Sequence, residues 1–205
     1  AIVADCVLLG ERALPGQPTP TVTEHFRARV RLSKEAAAQQ RAGVPSAPSS
    51  AAVPSDAIYR VYFHGPAYQV IDRAWKEGPG AAALVRDDLP PNHAPAALPL
   101  LAAPRFIEAC FQTAGLHEMG AHGRMALPQA IDAVVFSAPP GEGTGWRFVV
   151  ATPDPEGRSF GASVVDASGR LLLRLRGYRT VALPGGLDET LAEPIARVLG
   201  RKGDA

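Results

Sequence analysis

Ala103-Pro104-Arg105-Phe106-Ile107-Glu108-Ala109-Cys110-Phe111-Gln112-Thr113-Ala114-Gly115 is the segment around which the rest of the chain can be arranged. A proline suits the first turn of a helix, and a glycine after the last turn can stop one. Ile107, Cys110, Phe111 and Ala114 recur at i, i+3, i+4 and i+7, one apolar helix face. Glu108 and Gln112 lie four apart and stack on a second face, which Gly115 continues. Small residues (Ala109, Thr113, Ala114, Gly115) let another group approach the backbone. A carboxylate and an amide on a largely buried helix cost free energy unless they are paired or used. The plain alternative pairs Glu108 with Arg105 one turn earlier, an ordinary surface contact worth ~0.2–0.5 kcal/mol.

The chain has 205 residues, which suits one domain with a real core. Hydrophobic residues make up 46% and charged residues 20%, a globular balance. A formal net charge of +1 gives no electrostatic case for nucleic acid or an anionic membrane. The two cysteines, Cys6 and Cys110, form neither a disulfide framework nor a zinc signature. No apolar run approaches the ~20 residues of a membrane span, and no signal peptide is visible. The first residue is Ala1, not methionine, and the chain reads as a piece of a longer protein.

Residues 2–9 and 21–32 are expected to be strands joined by a turn-rich link at Leu14-Pro15-Gly16-Gln17-Pro18. In the second, Phe26, Ala28, Val30 and Leu32 alternate with Arg27, Arg29 and Arg31. The arginine face is either solvated or a grip for an acidic protein. Residues 35–55 read as a linker or long loop, with a short helical turn at Ala36-Ala37-Ala38-Gln39-Gln40. Ile58 to Phe63 reads as a short strand or a helical entry into His64-Gly65-Pro66, a turn signal. Residues 68–75 and 81–86 form a hairpin-like pair. Beyond the helix, Leu116 to Leu127 reads as a loop carrying His117 and His122. With Glu118 these superficially suggest metal ligands, but the spacing matches no zinc motif. From Ile131 an antiparallel meander is expected at 131–138, 146–152, 160–166 and 170–182. Its turns fall at Pro140-Gly141-Glu142-Gly143, Asp154-Pro155-Glu156-Gly157 and Asp166-Ala167-Ser168-Gly169. Residues 188–200 form an amphipathic helix.

Two motifs carry a family resemblance. Glu108-Ala109-x-x-Gln112-x-x-Gly115 resembles the central helix of bacterial 3-hydroxyacyl-carrier-protein dehydratases of the hot-dog fold. Ala103 to Gln112 also resembles the His-Pro-x-Leu-Leu-Asp-x-x-x-Gln segment of polyketide synthase dehydratase domains. Glu108 falls where that family has its aspartate, and Ala103 replaces the opening histidine. His64-Gly65-Pro66-Ala67-Tyr68 resembles the family's Tyr-Gly-Pro-x-Phe, with His64 in the tyrosine's place.

The resemblance implies an α+β chain, half of a double hot-dog, with an antiparallel sheet wrapped round one central helix. Residues 1–34 would be the closing strands of a preceding repeat, 35–55 the link, 56–184 the second, C-terminal hot-dog, and 185–205 a helix and tail. It implies removal of water from a 3-hydroxyacyl thioester on an acyl carrier protein, within a polyketide or polyunsaturated fatty acid synthase. Glu108 would act on the hydroxyl, with Gln112 positioning it. His64, Gly65, Pro66, Tyr68 and Gly115 would line the substrate channel. His93 is a candidate base because single-domain relatives carry a histidine a short distance before the glutamate. The family's His-x-x-x-Gly-x-x-x-x-Pro motif for that base is missing from this sequence, and His93-Ala94-Pro95 lacks its glycine. The histidine then lies upstream of Ala1, comes from a second copy, or is lacking. No metal or cofactor is implied beyond the phosphopantetheine arm of the carrier. The expected partners are the carrier protein, neighbouring synthase domains and a second copy in a homodimer; the expected location is cytoplasmic. The competing expectation is a non-catalytic hot-dog that scaffolds the synthase or holds the acyl chain. A thioesterase is a third, since hot-dog thioesterases also use a helix carboxylate.

Overall fold

The structure is a computed structural model and describes residues 1–205 except 17–18, 36, 47–50, 97, 99, 101, 139–144, 186 and 201–205. The turn expected at Pro140 to Gly143 lies outside the described residues. The chain divides into two units, Ala1–Ala37 and Ala38–Ala205.

The first unit is a hairpin of β1 (Ile2–Arg12) and β2 (Thr21–Leu32), antiparallel with Cys6 opposite Ala28. Arg27 pairs with Glu24 and Arg29 with Asp5, and both side chains are exposed.

The second unit is an antiparallel sheet around one helix. Short β3 (Val53–Pro54) leads into α1 (Ser55–Val61) and a 3-10 turn at Pro66–Tyr68. The hairpin β4 (Ile71–Glu77) and β5 (Gly80–Val85) follows. Helix α2 (Pro104–His122) comes next, then β6 (Ala126–Ala130), β7 (Ala133–Phe136), β8 (Arg147–Pro153), β9 (Phe160–Asp166) and β10 (Leu171–Ala182). The strand order is β3-β4-β5-β8-β9-β10-β6, with β7 also paired to β10. Helix α3 (Glu189–Leu199) closes the unit. This is the hot-dog arrangement.

Helix α2 is buried through its middle on every side, from Ala109 and Cys110 to His117 and Met119, except half-buried Phe111. It packs against the inner residues of the strands, among them Ile71, Ala83, Val149, Val164 and Leu173. Small residues allow this close wrapping. The buried Thr113 hydroxyl is satisfied by donating to the Ala109 carbonyl at 2.7 Å.

Four local expectations are corrected. Gly115 does not end the helix. The helix runs two further turns to His122 and stops at Gly123, whose φ of 62° is the left-handed cap conformation. His117 and His122 therefore sit on α2, where their rings meet edge to face at 6.1 Å. The strand expected at 131–138 is shorter, Ala133–Phe136, because residues 131–132 form the turn from β6, where Asp132 accepts from Arg179 at 2.8 Å. Residues 37–40 are not helical, Ala36 lying outside the described residues: the Gln40 carbonyl accepts from Leu171 N–H at 2.9 Å, and Ala42 N–H donates to the Gly169 carbonyl at 3.0 Å. Much of the expected link is thus built into the second unit.

Candidate functional site

The functional side chains converge where α2 passes the segment leaving α1. Pro104 at the first turn starts α2, and Arg105 turns back to donate to the Ala67 and Pro90 carbonyls. That removes the ordinary partner from Glu108. Its Oε1 lies instead 2.9 Å from His64 Nε2 and accepts from Gln112 Nε2 at 3.0 Å.

Gln112 is 2% exposed, so its amide must be fully partnered, and it is. Its Oε1 accepts from the Tyr59 hydroxyl at 2.7 Å, while its Nε2 also donates to the Tyr68 carbonyl at 2.8 Å. The Tyr59 oxygen itself accepts from Ile71 N–H at 2.7 Å. One turn away, the Tyr62 hydroxyl donates to the Gln112 backbone carbonyl at 2.8 Å. These bonds fix which end of the amide faces Glu108.

His64 is held from three sides. Phe63 stacks on its ring (5.1 Å, 10°), Tyr62 meets it edge-on (5.2 Å, 82°), and Gln69 Nε2 donates to its carbonyl at 3.1 Å.

Glu108, Gln112 and His64 open onto a cavity of about 220 Å³. Its other walls are Tyr62, Phe63, Phe111, Tyr178 and the Met125–Pro128 stretch entering β6, so it is mostly apolar. Tyr178 stacks on Phe111 at 4.6 Å and 19°. Burial, reinforced by the neighbouring Glu108 carboxylate, pushes the phenols of Tyr62 and Tyr178 well above their usual range. At neutral pH they are hydrogen-bonding walls and not bases. The site therefore offers one carboxyl group, one imidazole and a pocket for a short apolar group.

The other sequence candidates fall as follows. Gly65 and Pro66 shape the 3-10 turn, where the Gly65 carbonyl accepts from Tyr68 N–H at 2.9 Å. Tyr68 reaches the site through its backbone carbonyl. Gly115 lies under Tyr62, and a Cβ there would overlap the phenol oxygen. His93 is not brought to Glu108. Its Nδ1 contacts Asn92 Oδ1 at 2.6 Å and its Nε2 the Leu98 carbonyl at 3.1 Å, both within its own loop. Sequence reasoning missed Tyr59, Tyr62 and Tyr178. The signal available was Tyr59-x-x-Tyr62, two phenols one helical turn apart. Among the described residues, no group of three or more His, Cys, Asp or Glu is placed to hold a metal ion, and no helix is long and apolar enough to cross a membrane.

The fold has solved counterparts. The dehydratase domain from the CurF module of the curacin polyketide synthase superimposes with a TM-score of 0.61 at 18% identity. That from the CurK module gives 0.62 at 16%; each match covers 80% of this chain and 60% of the other. A structure from work on dehydratase substrate selection in the borrelidin and fluvirucin synthases gives 0.58 at 22%, covering 86% and 60%. The chain thus spans about 60% of the length of these domains. No curated protein sequence is significantly similar. At such identities the superpositions establish the hot-dog fold; the sequence itself matches a family model, that of the polyketide synthase dehydratase N-terminal domain, over residues 33–190. With that match covering most of its length, the chain belongs to the polyketide synthase dehydratase family.

Proposed function

We propose that this chain is the carboxylic-acid half of a dehydratase site. It removes water from a 3-hydroxyacyl thioester carried by an acyl carrier protein. The observation that carries this is the Glu108 carboxyl group, gripped by Gln112 and His64 at an apolar cavity of about 220 Å³.

Dehydration needs a base for the proton alpha to the carbonyl and an acid for the departing hydroxyl. Glu108 is the acid, and Gln112, itself immobilised by Tyr59 and Tyr68, positions it. The cavity takes the short acyl chain, and its apolar walls keep bulk water from competing for the proton. The base is an imidazole presented by a facing hot-dog, either in a neighbouring segment or in a second copy. In support, the CurK dehydratase is described in two inactive forms, one with a histidine replaced by phenylalanine and one with an aspartate replaced by asparagine. Glutamate for aspartate lengthens the acid by one methylene, and the His64 contact holds that longer arm in place.

The test is mass spectrometry of a 3-hydroxybutyryl carrier protein incubated with the protein and with Glu108→Gln. Loss of one water that disappears in the variant supports the reading. Loss that persists removes Glu108 from the acid role. No loss with either, while the carrier still binds, makes this a non-catalytic hot-dog that holds the chain.

A further inference from the structure

His64 touches the acid, yet neither the acid nor the base assigned above says which of its nitrogens carries the proton. Its Nε2 lies 2.9 Å from Glu108 Oε1, while its Nδ1 is buried with no hydrogen-bond partner among the described residues. A neutral imidazole has one N–H and one bare nitrogen. A proton on Nδ1 would be an orphaned donor inside the protein, an arrangement folds rarely contain. A proton on Nε2 is accepted by Glu108. Phe63 stacked on the ring and Tyr62 edge-on to it fix the plane in which it lies. Gln112 brings a second donor to the same oxygen, because Tyr59 occupies its carbonyl end.

The geometry points to His64 as a positioning donor: its Nε2–H and the Gln112 amide together hold Oε1 of Glu108, leaving Oε2 to carry the proton given to the leaving hydroxyl. As the C–O bond breaks, its electron pair stays with the oxygen, which takes the Oε2 proton and leaves as water. The electron pair of the α C–H bond becomes the new C=C bond, and its proton passes to the facing imidazole named above. The negative charge that appears on Glu108 meets two N–H groups already in place, so no reorganisation is needed at that moment. A histidine acting as the base through Nε2 would need its N–H on Nδ1, where none of the described residues accepts it. The turnover consequence rests on the dehydratase reading, whereas the tautomer does not.

Two measurements test this. Nitrogen-15 NMR of the unmodified protein at neutral pH should show His64 protonated on Nε2 and bare on Nδ1, its signals assigned by their loss in His64→Gln. In the 3-hydroxybutyryl carrier assay, His64→Leu should lower kcat by about 100-fold with KM little changed. His64→Gln, which restores an amide N–H near the lost Nε2 but cannot take up a proton, should recover most of that loss. A proton found on Nδ1 overturns the proposal, independently of how either variant folds. A Gln variant as slow as the Leu variant also overturns it, making His64 the base while the dehydratase reading stands. An unmodified protein with the expected tautomer but no water loss removes the dehydratase reading and the positioning role together.

Discussion

The Tyr59 hydroxyl donates to Gln112 Oε1 and accepts from the Ile71 N–H, each at 2.7 Å, so one phenol oxygen ties α2 to the start of β4. Tyr59→Phe leaves a backbone donor and an amide oxygen without partners. The expected cost is about 1–3 kcal/mol in urea unfolding. Freed from Tyr59, the amide can present its oxygen to Glu108, so dehydration should slow by about tenfold or more, a loss of ~1.4 kcal/mol in the barrier. A variant equal to the parent in both would show that Gln112 is oriented by something else.

Gly115 and Gly120 should both resist alanine, although alanine favours a helix over glycine by about 1 kcal/mol. At Gly115 a Cβ would overlap the Tyr62 phenol oxygen; at Gly120 it would overlap the Leu199 side chain, where α3 crosses α2. Overpacking of this kind costs about 1–3 kcal/mol, so each variant should melt lower than the parent. The Gly115 variant should also slow turnover, since Tyr62 braces the carbonyl of Gln112. A higher melting temperature for either would sink the close-approach argument.

Helix α3 depends on the residue that caps its start. Asp188 accepts from the Thr190 and Leu191 N–H groups at 2.9 and 3.2 Å, and Ile195 and Leu199 are buried behind it. Asp188→Ala should cost about 1 kcal/mol, and Asp188→Ser should restore most of it. Chemical denaturation of the two variants separates the cap from any effect of the charge.

Stability should fall at alkaline pH. Burial, with the Glu108 carboxylate adding to it, raises the Cys110 thiol and the phenols of Tyr59, Tyr62 and Tyr178 above their ordinary values. The folded protein then keeps protons that the unfolded chain releases, so this stability is complete below the unfolded values. Those lie near ~8.5 for the thiol and ~10 for the phenols. It is lost as the pH rises beyond them, by up to about 1.4 kcal/mol per pH unit for each group. Unfolding midpoints measured from pH 7 to pH 11 should decline above about pH 9, and Tyr178→Phe should make the decline shallower. Flat midpoints across that range would contradict the assignment.

Much of this arrangement was legible in the sequence, because the helix, the meander and the Glu108–Gln112 pair are all periodic patterns. The misreadings share a cause. Gly115 looked like a helix stop because local rules give glycine that meaning; here it is small so that the Tyr62 phenol, just past α1, can pass. The break between β6 and β7 depends on Arg179, 47 positions from its partner Asp132, and no local pattern encodes such a contact. The resemblance sets His64 in the substrate channel, and no local pattern pairs it with Glu108. Its meeting with Glu108 follows only once Arg105 has been drawn away to the Ala67 and Pro90 carbonyls. Long-range hydrogen bonds decided each case.

The walls of the cavity come from residues as far apart as Tyr62 and Tyr178. During synthesis, Glu108 and Gln112 emerge well before the strand that carries Tyr178, and the pocket beside them stays unroofed until β10 is added. A stalled or proteolytically shortened chain ending before that strand would carry the acid without a chamber to use it in. Such a fragment would have no closed pocket beside Glu108, and formation of the site is thereby tied to completion of the sheet.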